Sequence, residues 1–317
     1  MHNDDRLLGV LQPSQNSPAK SQKYWLNDGT LIVQVDENAY KVHGGLLDRL
    51  SPRFSALSRT HKNNHETPYV VIPNDVGVTG NDFEALLEHL YHDIPLASDP
   101  SFTRVASVLR ASSELDFSSI SALARRKLLD IFPKRLEDLV QYPDAPDDAL
   151  SLAVQYDVFP IQKALYYRVA THLHLDDDDP DSNQTATSAN DASTVSTTPP
   201  SDTIARLSPE LIRKSKNLLD DLLAHFTPVL FTVATAHHMA CTDVFAETWM
   251  PLVIQPALEN NGLCKPIETL QTIIDLDWKA HGLCEDCVRD KREEWRGEQE
   301  DIWKKMNTWL GLQNEAE

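Results

Sequence analysis

The run Thr30-Leu-Ile-Val-Gln-Val35 is rich in β-branched residues and follows the turn signal Asn27-Asp28-Gly29, which predicts a strand. After Asp36-Glu37-Asn38 a second short run, Ala39 to His43, completes a predicted hairpin. Tyr69-Val-Val-Ile72, closed by Pro73, predicts a third strand. The apolar period then changes from two to 3.6. Phe83, Leu86, Leu87 and Leu90 stand at i, i+3, i+4 and i+7 behind an Asn81 cap, so a helix is predicted there. Phe102, Val105, Val108 and Leu109 repeat the pattern, and so do Ile120, Leu123, Leu128 and Ile131. Strands mixed early with helices, followed by helices alone, give an α+β fold class with a mainly α-helical C-terminal region.

Further along, Asp147–Tyr156 and Ile161–Leu173 predict two helices broken at Pro160, expected to continue the first folded unit. Asp176–Asp202 then holds seven Asp and ten Ser/Thr with no Lys or Arg, too little apolar surface to offset chain entropy. This segment is expected to be a disordered, acidic insertion. Beyond it, Ser208-Pro209-Glu210 is a helix start, with Leu211, Ser215, Leu218, Leu219, Leu222, Leu223 and Phe226 on one face. A last helix is expected from Glu285 to about Leu310, carrying Trp295, Ile302, Met306 and Trp309 on one side. The organisation expected is therefore a disordered tail at 1–22, an α+β domain at 23–132, a helical extension at 133–175, the acidic insertion at 176–203 and a helical domain at 204–317.

At 317 residues the chain exceeds the usual size of a single core, in keeping with two folded units. The formal charge of 19 negative would repel a phosphate backbone, so no nucleic-acid partner is expected. No apolar run reaches the length of a membrane span, and Met1–Val10 shows no signal-type stretch. An intracellular protein without a membrane partner, cytoplasmic or nuclear, is the expectation.

Several residues of the first segment form an ordered set: the strand with Tyr40-Lys-Val-His43, then Leu46-Leu47, Ser51-Pro-Arg-Phe54, the Tyr-Val-Val-Ile-Pro strand and the helix Phe83 to Tyr91. This set resembles the BTB/POZ family, in particular the divergent BTB proteins abundant in fungi. The resemblance implies a protein-interaction domain that serves as scaffold or adaptor, with no catalysis and with a protein partner or a second copy of itself. His43, Leu47, Ser51 and Phe54 are its motif residues, and His43 is expected as a buried, hydrogen-bonded core histidine. There are departures. Thr30 and Gly44 stand where BTB transcription factors carry an acidic and a basic residue, so that charged pocket is missing. Asp93–Ser101 lacks the hydrophobic-x-Glu pattern of cullin-binding adaptors, which weakens the alternative of a substrate-recognition adaptor for a cullin-type ubiquitin ligase. No β-rich segment precedes Tyr24, where the strand that long-form BTB domains exchange on dimerisation would lie.

All four cysteines, Cys241, Cys264, Cys284 and Cys287, fall in the last quarter of the chain. Cys284-x-x-Cys287 can supply two corners of a tetrahedral zinc site, and Cys241 with His281 or His238 would supply the others. Against zinc stands the reading as reduced thiols that pack a helix start, since only one Cys-x-x-Cys pair exists. The surrounding βαβ pattern of a thioredoxin-like redox site is not visible, nor are a Gly-rich phosphate loop, a Gly-x-Ser-x-Gly elbow or a His-Glu-x-x-His helix. The sequence thus commits to no catalytic residue and no cofactor. It leaves a C-terminal zinc-binding interaction module as a further alternative.

Overall fold

The computed structural model describes residues 18–60, 67–98, 101–141, 148–172 and 207–312. The acidic insertion and most of the expected N-terminal tail lie outside these residues. The chain divides into two compact units, with the boundary between Ile131 and Phe132.

The first unit is α+β. Its four strands, β1 (Ala19–Trp25), β2 (Leu31–Val35), β3 (Asn38–Val42) and β4 (Tyr69–Ile72), form one sheet in the order β1-β3-β2-β4. The β2–β3 hairpin is antiparallel and pairs Leu31 with Val42, Val33 with Tyr40 and Val35 with Asn38. Leu31, Val33 and Val35 are buried, so the period of two that makes β2 a strand also fixes which face meets the core. β4 lies parallel to β2, a pairing that needs a crossover. Helices α1 (Gly44–Leu50) and α2 (Pro52–Thr60) lie in that connection.

Helices α3 (Gly80–Leu90), α4 (Phe102–Glu114) and α5 (Ser118–Ile131) complete the unit. The start of α3 differs from the sequence expectation. Thr79, not Asn81, is the cap: its hydroxyl accepts from the Asp82 N–H and the Asp82 carboxylate accepts from the Thr79 N–H, 3.2 Å each. The reciprocal pair satisfies two donors that Asn81 could not reach together. β1 is a second correction, because a strand does occupy the residues before and at Tyr24. It lies parallel to β3 of its own chain, with a register shift between Lys20 and Trp25. Only Tyr24 of its residues is buried, so β1 carries almost no apolar alternation.

The second unit is helical: α6 (Leu136–Gln141), α7 (Ala149–Gln155), α8 (Phe159–His172), α9 (Pro209–Phe231), α10 (Met239–Trp249), a π turn over Met250–Ile254, α11 (Gln255–Glu259), α12 (Pro266–Asp275) and α13 (Glu285–Trp309). α6, α7 and α8 belong here and do not continue the first unit. The reason is a polar node made with α12. The fully buried Tyr167 hydroxyl donates to Glu268 and accepts from the Ile267 N–H at 3.2 Å, while Arg168 reaches Glu268 at 2.9 Å and the Leu139 carbonyl at 2.6 Å. The break between α7 and α8 falls at Asp157, whose φ is 54°, rather than at Pro160. Pro160 sits in the first turn of α8, where a missing N–H costs nothing. Among the described residues, no helix is long and apolar enough to cross a membrane.

Candidate metal centre

Helices α10 and α13 start in the same way. His238 is the residue before α10 and Cys241 its third residue; Cys284 is the residue before α13 and Cys287 its third. Ser, Thr, Asp or Asn normally occupies the position ahead of a helix and accepts from the first free N–H groups. Here a histidine and a cysteine hold it; the His238 side chain makes no such bond, and the Cys284 thiol faces the N–H of Cys287.

The two starts meet. His238 Nδ1 lies 3.2 Å from Cys284 Sγ and 3.6 Å from Cys287 Sγ, and Cys241 Sγ lies 3.7 Å from Cys284 Sγ. All four donor atoms fall within 4.8 Å of one another. Of the candidates read from the sequence, Cys241, Cys284 and Cys287 are thus brought together. His281 is exposed and outside the group, and His238 fills the fourth position. Cys264 also stands apart, in the turn before α12, where burial pushes its thiol up.

Local structure fixes each donor. The Thr242 hydroxyl accepts from the Ala236 N–H at 3.0 Å, and the Thr242 N–H donates to the His238 carbonyl at 3.0 Å, which anchors the loop that carries His238. Before α13, the chain turns through Asp277–Leu283, with the Leu283 N–H bonded to the Trp278 carbonyl at 3.1 Å. Gly282 takes φ of 104°, a conformation that glycine adopts without strain. Cys241 and Cys287 are buried and Cys284 is partly exposed.

The electrostatics favour thiolate at one position. The Cys287 N–H and then His238 pull the Cys284 thiol down to about 7. Cys287 is pushed up, first by burial and then by its neighbour Cys284. Both pairs also sit at helix N-termini, whose partial positive charge stabilises thiolates. Chemically, the group offers three soft sulfur donors and one imidazole nitrogen, the donor set of a structural zinc site.

Below the cluster, Phe245 of α10 packs edge-on against Trp278 with centroids 5.0 Å apart, and Trp278 meets Trp295 of α13 at 5.7 Å. Trp249 stacks on Trp278 at 6.2 Å and donates from its indole to the Leu230 carbonyl at 2.9 Å.

The motif residues of the first unit lie elsewhere. Leu47, Ser51 and Phe54 are buried; Ser51 donates to the Leu115 carbonyl at 2.7 Å and accepts from the Phe54 N–H at 3.2 Å. His43 departs from the expectation of a core histidine, since its side chain is 38 % exposed. It lies 3.0 Å from the Tyr91 hydroxyl and 3.2 Å from Asp28, and this contact holds Asp28 below its usual range. Its place at the mouth of the β3–α1 turn leaves one ring edge in water. Thr30 and Gly44 are adjacent, with the Thr30 hydroxyl accepting from the Gly44 N–H at 3.0 Å.

Compared with known proteins, the chain matches no family model, no curated protein and no solved structure.

Proposed function

We propose that this chain is a non-enzymatic protein-interaction scaffold whose first unit is BTB/POZ-like. The observation that carries the reading is the path of the chain through that unit. An antiparallel hairpin leads into two short helices, a strand returns parallel to the first hairpin strand, and helices follow, with Leu47, Ser51 and Phe54 buried at the joints. Three of the four motif residues are buried, while the fourth, His43, stays partly exposed. Thr30 and Gly44 satisfy each other, which supports a scaffold that works without the charged pocket of the transcription-factor members.

The test is purification of the tagged full-length chain beside an untagged copy, with light scattering of the purified material. The reading expects a stoichiometric protein partner or the untagged copy. Recovery of a cullin would specialise it to a ligase adaptor. A chain that stays monomeric and recovers nothing in proportion counts against it.

A further inference from the structure

We infer that His238, Cys241, Cys284 and Cys287 bind one Zn2+ ion, and that this ion ties the N-termini of α10 and α13 together as a structural element of the second unit. The inference is independent of what the first unit does.

Three observations carry it. The first is spacing. A tetrahedral ion with Zn–S bonds of about 2.3 Å and a Zn–N bond of about 2.0 Å sets its donors about 3.8 Å apart for two sulfurs and about 3.5 Å for sulfur and nitrogen. The chain places them at 3.7 Å for Cys241 and Cys284, and at 3.2 and 3.6 Å for His238 with Cys284 and Cys287. A disulfide needs sulfurs about 2.05 Å apart. The separation of Cys241 and Cys284 therefore fits a shared ion and not a bond between them.

The second observation is the repeated use of one device. His238-x-x-Cys241 and Cys284-x-x-Cys287 each put one donor ahead of a helix and one in its first turn, so the two helices present paired donors in the same geometry. Two such pairs, with 42 residues between them in sequence, are what a four-ligand structural site requires. The third is that His238, in the capping position of α10, makes no capping bond and faces the two sulfurs of Cys284 and Cys287 instead, which costs α10 a hydrogen bond unless the side chain has another task.

The donor set selects the metal. Three thiolates and an imidazole suit zinc, and disfavour Mg2+ and Ca2+, which take oxygen donors. The protein supplies all four positions of a tetrahedron, leaving none for a substrate, so the ion is structural. With three thiolates the filled site carries one net negative charge, placed at two helix N-termini that favour it. The aromatic cluster of Phe245, Trp249, Trp278 and Trp295 continues the contact between the same two helices further along. Loss of the ion therefore opens the loops around 232–241 and 277–288 first and leaves the helices below them packed.

The experiment measures metal in the full-length chain purified after expression with added zinc. About one zinc per chain is expected. The Cys284→Ser/Cys287→Ser pair and His238→Ala lose it, His238→Cys restores it as a four-thiolate site, and His281→Ala and Cys264→Ser keep it. Because the cysteine pair variant could fail to fold, cobalt titration of the chelator-stripped wild-type chain supplies a second readout. It is expected to give intense visible bands of tetrahedral cobalt with thiolate charge transfer, and faster amide exchange at 232–241 and 277–288 in the stripped form. A folded wild-type chain that retains no zinc and shows no such bands overturns the inference. So does zinc that survives the cysteine pair variant, or that follows His281 or Cys264.

Discussion

Replacing Tyr167 with Phe removes one oxygen from a fully buried node and tests how the second unit holds α8 and α12 together. The hydroxyl does two things there. It donates to the Glu268 carboxylate, which Arg168 also holds, and it accepts from the N–H of Ile267 in the first turn of α12. That N–H is one of the donors that a helix leaves without an internal partner, so a side chain from another helix serves as its cap. Burial, with the charge of Glu268 beside it, raises the Tyr167 hydroxyl well above the usual tyrosine range, which keeps it a donor at all physiological pH. A hydrogen bond to a charged acceptor contributes about 1.5 to 3 kcal/mol, and a buried N–H left unpaired costs about 1 to 3 kcal/mol. The two losses share one site and overlap, so the variant should lose about 2 to 4 kcal/mol. Five of the six tryptophans lie beyond Phe132, so indole fluorescence in a urea titration reports chiefly this unit. The midpoint should fall by about 1 M with an unchanged slope. A fall of less than about 0.2 M would refute the reasoning, because the hydroxyl would then have no energetic part in the node.

Other outcomes follow from the same geometry. Thr79→Ala removes the hydroxyl that accepts from the Asp82 N–H, while the Thr79 N–H keeps its bond to the Asp82 carboxylate; the loss should cost about 1 kcal/mol, read as faster amide exchange in the first turn of α3, and unchanged exchange there would argue against the cap. Ser51→Ala leaves the Leu115 carbonyl and the Phe54 N–H without their partner and should cost about 1 to 3 kcal/mol, measured by exchange in α2 and at the α4–α5 junction. Burial lowers the Lys163 ammonium to about 8, although its seat 4.1 Å over the Trp303 ring favours the charge. The folded chain then releases this proton before the unfolded chain does. The penalty is complete below about pH 8 and fades as pH rises toward the ordinary lysine value of about 10.4. Lys163→Met should flatten the rise in stability over that window, and an identical pH slope in both proteins would contradict the assignment.

Much of the fold was legible because one face of an element is buried. β2 alternates buried and half-buried positions, and the seams of α3 and α9 keep the 3.6-residue period. β1 was not legible for the opposite reason. Ala19-Lys-Ser-Gln-Lys-Tyr-Trp25 is an edge strand that buries only Tyr24, and an edge needs no apolar alternation. α10 is not among the predicted helices because it buries only Cys241, Phe245 and Trp249, and α11 is not because it is five residues long with Pro256 at its start; α12, with Ile267, Leu270, Ile273 and Ile274 behind Pro266, carried a readable pattern that the sequence reading did not use. At the candidate metal centre, Cys284 and Cys287 stand out as a pair. The matching pair was in plain view as His238-x-x-Cys241, with the same spacing, and a search for cysteine pairs alone passes over it. Sequence could not choose between His238 and His281, because the choice depends on where α10 begins and how the Gly282 turn points His281 outward.

The most direct test of the zinc assignment is X-ray absorption at the zinc edge of the full-length chain. The account predicts one shell of three sulfurs at about 2.3 Å and one nitrogen at about 2.0 Å, with the multiple scattering of a single imidazole. A shell dominated by oxygen, a site with four sulfurs, or a metal ligated by more than one imidazole would contradict it.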